Sequence, residues 1–108
     1  MIAGEGMSVA GTWRVSVLTR RFTLVLVAAD GGVVTGSMTE EGKAQALPIR
    51  DGRENGDMVE WKVDVPGYGE TAEFRGTIAG DRMTGQVRAG LFAPAFRARR
   101  TKPAGGAA

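Results

Sequence analysis

The chain has no cysteine and no histidine among its 108 residues. Without cysteine there is no disulfide framework and no thiolate for metal or redox work. Without histidine the commonest general base, the commonest metal ligand and the Ser-His type of triad are all missing. No carboxylate cluster has metal-ligand spacing either, so no metal, no cofactor and no catalytic residue is assigned. Long apolar runs are lacking as well. The N-terminus, MIAGEGMSVAG, has neither a basic start nor an apolar core, so it is not read as a leader peptide. No later stretch is long enough to span a bilayer as a helix. The expectation is a cytoplasmic protein with no membrane partner.

The two signs of charge nearly balance. The formal net charge is +2. The cations have a pattern, however: Arg97, Arg99, Arg100 and Lys102 crowd the C-terminus, and Arg20-Arg21 form a second pair. A nucleic-acid surface calls for a broader basic face interleaved with exposed aromatics, so no nucleic-acid partner is expected.

Alternation is what the sequence does have. In MVEWKVDV (58–65), Val59, Trp61, Val63 and Val65 face one way, and Glu60, Lys62 and Asp64 the other. That is period 2, the signature of a half-buried strand. TAEFRGTI (71–78) and MTGQVRA (83–89) alternate in the same way. No window carries a helical stripe. Asp30-Gly31-Gly32, Asn55-Gly56-Asp57 and Gly80-Asp81 are tight-turn signals, and Glu41-Gly42, Pro66-Gly67-Tyr68-Gly69 and Ala89-Gly90 fill the other corners. The pattern predicts about eight strands, near 9–18, 21–29, 33–39, 44–51, 58–65, 70–79, 83–89 and 94–101, joined by short loops. Residues 1–8 and 102–108 read as loose ends around one domain at 9–101.

Consecutive strands on short loops make an antiparallel meander. The predicted fold is therefore all-β: a single antiparallel up-and-down eight-stranded β-barrel. Closure removes both sheet edges and leaves room for side chains or for one small ligand. Glycine supports this reading, at 17 of 108 residues. Gly36, Gly76 and Gly85 all fall on the inner face, where glycine marks a bend or a close approach. Whether they also make room for a ligand stays open.

Residues 11–38 read GTWRVSVLTRRFTLVLVAADGGVVTGSM. Gly-Thr-Trp, an apolar strand, Ala-Asp-Gly and Val-Thr-Gly follow in order. This resembles the first three strands of the avidin and streptavidin family, and it is similar to the wider calycin group, whose first strand carries Gly-x-Trp. The resemblance covers about a quarter of the chain. It implies a calycin-like barrel with Gly11 and Trp13 at the start of the first strand and an arginine of the last strand packed across the tryptophan. Arg100 shares a face with Phe96 and Ala98 and is preferred to Arg99. The biotin-binding residues that the resemblance would carry over are absent: Val15, Met38 and Glu40 stand where an asparagine, a tyrosine and a serine would serve.

The functional expectation is a binding barrel that holds a hydrophobic or amphipathic small molecule in its lumen. The ligand wall would comprise Trp13, Val15, Phe22, Met38, Trp61, Phe74 and Phe96, with Tyr68 over the mouth; Gly11, Gly36, Gly76, Gly85 and Arg100 would be structural. The plainer reading of the same aromatics is core. The alternative function is a cofactor-free cyclase or isomerase of a bacterial biosynthetic pathway, which works by positioning a hydrophobic substrate. Val25 and Val27 face outward on an apolar strand, so a homo-oligomer through that face is expected.

Overall fold

The computed structural model describes residues 9–65 and 70–103. The strands are β1 (Gly11–Val17), β2 (Arg20–Ala28), β3 (Val33–Glu40), β4 (Ala46–Pro48), β5 (Arg50–Asn55), β6 (Met58–Val65), β7 (Glu70–Ala79), β8 (Arg82–Arg88) and β9 (Ala95–Pro103). A 3-10 turn, Asp30–Gly32, joins β2 to β3. The ladder runs β2-β1-β9-β8-β7-β6-β5-β3-β4, and a further β2–β3 pairing closes it. Every pairing is antiparallel. The short β4 and β5 both lie along β3, at its two halves, and act as one interrupted strand. The result is a closed, eight-stranded, calycin-like antiparallel barrel.

The interruption departs from the sequence expectation. A single strand was predicted over 44–51, whereas the chain breaks at Ile49 and pairs on to Asn55. Asp51 takes a left-handed φ of 53°, and the β5–β6 register shifts between Arg50 and Arg53. This is a bulge, which bends a strand and re-aims its side chains. Residues 52–55, Gly-Arg-Glu-Asn, carry no apolar alternation, so nothing in their pattern marks a strand. The last strand also extends past residue 101 to Pro103. Ala28 shares the inward parity of Leu24 and Leu26, yet it is exposed at the barrel's end. Residues 1–8, 66–69 and 104–108, including Tyr68, lie outside the described residues.

Alternation fills the interior. Trp13, Val15, Leu24, Leu26, Met38, Val59, Trp61, Phe74, Met83 and Phe96 are all buried in one cluster. The glycines explain how so narrow a barrel holds its aromatics. Gly76 and Gly85 are direct partners across β7 and β8, and Phe96 on β9 is the next partner of Gly85. A Cβ on Gly85 would strike the backbone of Arg75 and Gly76, so this glycine lets two strands approach. A Cβ on Gly76 would fall 2.9 Å from Phe96 Cζ. The absent side chain makes room for an aromatic ring of the protein itself.

That ring completes a triad. Trp61 and Phe74 stack with centroids 5.0 Å apart and planes 5° from parallel. Phe96 meets both edge-on, at 6.0 Å and 5.4 Å. Edge-to-face and offset stacking suit the ring quadrupoles and add about 0.5–1.5 kcal/mol per pair beyond burial.

Candidate ligand site at one end of the barrel

The two ends of the barrel differ. At the first, residues 9–10 cross under the strands. Trp13 Nε1 donates to the Val9 carbonyl at 2.8 Å, and the Val9 amide donates to Glu54 Oε1 at 3.3 Å. Trp13 and Arg100 are partners across β1 and β9, and the Arg100 guanidinium sits 4.6 Å from the Trp13 ring centroid. Its Nη1 donates to the Ala10 carbonyl at 2.7 Å, its Nη2 to the Gly80 carbonyl at 3.0 Å, and its Nε to Asp81 Oδ1 at 2.9 Å. Desolvated contacts of this kind fasten the end of the barrel. Trp13 therefore belongs to a plug and is remote from the opposite mouth.

At the second end, Phe22, Leu47, Ile49 and Ala89 pack on the core yet stay half-exposed. Arg20 and Glu40 join them on the rim. Arg20 donates twice to the Glu40 carboxylate, from Nε at 2.9 Å and from Nη2 at 2.7 Å, and its guanidinium lies 5.6 Å from the Phe22 ring centroid. The Arg20 hydrogen bonds hold the Glu40 carboxyl below its ordinary value, against a smaller opposing effect of burial. Glu40 is thus an anion at neutral pH and a poor proton donor.

Below the rim lies the aromatic triad, with Met38 beside it. Trp61 Nε1 donates to Met38 Sδ at 3.4 Å. A thioether is a weak acceptor, so the N–H of a buried tryptophan is spent on a poor partner. Methionine is also unbranched and readily changes shape. Trp61, Met38, Phe74 and Phe96 are brought together here, with Phe22 above them; Val15, the cross-strand partner of Phe22, is buried in the same core.

Sequence reading missed Arg20, Glu40, Leu47 and Ile49. A signal for Arg20 existed. Phe22, Leu24 and Leu26 alternate inward, and the same parity turns Arg20 inward and Arg21 outward.

An open cleft of about 680 Å³ crosses the wall over β3 and β5–β8, between side chains such as Glu60, Lys62, Glu73 and Arg75, and Ile49, Trp61 and Phe74 also line it. Its charges are mixed and mostly paired: Arg75 faces Glu60 at 3.4 Å, and Lys62 faces Asp51 at 3.6 Å.

No family model and no curated protein sequence matches the chain. Among solved structures, it is similar to a point mutant of the fluorescent protein UnaG, with a TM-score of 0.54 over 86% of this chain and 96% of that one. The identity is 10%, so the likeness is one of fold.

Proposed function

We propose that the barrel binds a hydrophobic or amphipathic small molecule, admitted at the end rimmed by Phe22, Leu47 and Ile49. The observation that carries this reading is the Trp61–Met38 contact. A ligand oxygen is a better acceptor for the Trp61 N–H than a thioether is, and Met38 can swing aside to admit it. The apolar body of the ligand would lie against Phe74 and Phe96, and a polar end would meet the Arg20–Glu40 pair. Pockets of this composition, apolar with a few placed polar groups, suit such molecules. The opposite end cannot serve as the entrance while Val9 and Arg100 hold it shut.

The avidin-like beginning of the chain supports the barrel rather than a biotin site. Val15 and Met38 are buried and apolar, and Glu40 is engaged by Arg20. The cyclase alternative requires the same lumen and gains no separate support, because the rim carboxylate is held ionised.

Native mass spectrometry on protein purified from its source tests the reading. A retained mass, lost in Trp61→Phe and Met38→Phe variants that still fold, is the expected result. A lumen that stays filled by Met38 and the triad under saturating lipophilic probes would overturn it.

The outer face supports self-association. Val25, Val27 and Val33 are 39%, 53% and 46% exposed on β2 and β3. A second copy of the chain would cover them through this face.

A further inference from the structure

We infer that this protein docks on anionic membrane surfaces through one wall and the loop tips at the rim end of the barrel. Pairing register gathers the arginines. Arg14, Arg99 and Arg82 are successive partners across β1, β9 and β8. Arg97 is the partner of both Ser16 and Thr84, and Ser16 is the partner of Arg21. Five exposed arginines thus share one outer wall. Like charges directly opposite each other destabilise a sheet. Among the described residues, Arg21, Arg82, Arg97 and Arg99 make no ion pair, and Arg14 has only Glu41, at 4.0 Å. The wall is complementary to a dense array of negative charge.

The loop tips beside it decide which array. Leu91 is fully exposed, and Phe92 is 61% exposed. Leu18 is 67% exposed and sits one residue beyond Val17, the partner of Phe96, hence next to the Arg21–Ser16–Arg97 row. Its φ is 54°. A tight hairpin turn favours glycine or asparagine in that region, and leucine is costly there on both backbone and solvation grounds. All three apolar side chains project where β1 meets β2 and where β8 meets β9, at the same end as the rim. Basic walls with protruding apolar tips suit an interface of anionic headgroups and acyl chains. A nucleic acid would call for aromatics on the basic wall for stacking, and the outward positions of β1, β2, β8 and β9 hold none. This inference does not depend on the lumen being occupied.

Vesicle sedimentation tests it with the full chain. Vesicles of phosphatidylcholine mixed with phosphatidylglycerol are compared with phosphatidylcholine alone, in low and physiological salt. The expected result is pelleting with the anionic vesicles only, weakening as salt rises. The triple change Arg21→Ser, Arg97→Ser and Arg99→Ser should lower the partition coefficient at least about tenfold. The pair Leu91→Ser and Phe92→Ser should lower it by a similar factor. Circular dichroism checks that each variant folds. The inference is overturned by no pelleting in low salt, by binding indifferent to the Leu91 and Phe92 changes, or by tight retention of an oligonucleotide with vesicles left unbound.

Discussion

Phe96 occupies the volume that a side chain at Gly76 would need. Its Cζ lies 2.9 Å from where a Cβ on Gly76 would stand, and Met83 Cγ lies at 3.1 Å. A glycine in one strand is thereby answered by an aromatic two strands away, with Gly85 between them. Gly76→Ala should destabilise the fold by about 1–3 kcal/mol, the usual cost of overpacking. Gly85→Ala should cost more, because its Cβ meets backbone, which cannot turn aside. Urea unfolding of both variants gives the order. Equal midpoints to the parent chain would show that the inner wall is slack.

The plugged end should be energetically dominant. Arg100→Met keeps length but removes the charge over Trp13 and the hydrogen bonds to Asp81, Ala10 and Gly80. A loss of about 2–4 kcal/mol is expected from unfolding midpoints, since charge-assisted hydrogen bonds and the cation–π contact are lost together. Trp13→Phe should cost about 1–2 kcal/mol through the lost Val9 bond alone.

Glu40 gives a pH signature. Its carboxyl is lower in the folded chain than in the unfolded one. The Arg20 pairing therefore contributes fully above the unfolded value, about 4.3, and is lost as the pH falls through the folded value. Both side chains are partly exposed, so the gain is under about 1 kcal/mol. Arg20→Gln should flatten this part of the acid-side slope in thermal melts at a series of pH values. An unchanged slope would mean that the pair is not formed in solution.

Self-association is checked by sedimentation equilibrium. Val25→Glu with Val27→Glu should convert an oligomer to monomer without unfolding it, since both side chains face outward. A parent chain that is already monomeric would remove this reading.

The strands could be read because one face of each is buried. Val59, Trp61 and Val63 alternate with charged residues, and the pleat turns that alternation directly into inside and outside. Residues 52–55 could not be read, because a bulge at Asp51 and a glycine pressed against Val34 hold them in the sheet in place of an apolar pattern. The site was legible only in part. Period 2 gives the direction of Trp61 and Met38, but not that they touch, which depends on how β3 and β6 face each other across the lumen. The same limit applied to Gly76: the ring that fills its space comes from a different strand.

A lipophilic molecule in the lumen should take over the Trp61 N–H from Met38. The chain has two tryptophans, so a proton–nitrogen correlation spectrum shows two indole signals, one from the Trp13 plug and one from the lumen. Titration with oleate and with anilinonaphthalene sulfonate should move the Trp61 signal and leave that of Trp13 in place. A Trp61 signal that stays fixed at saturating concentrations of both probes would mean that the lumen takes no such ligand.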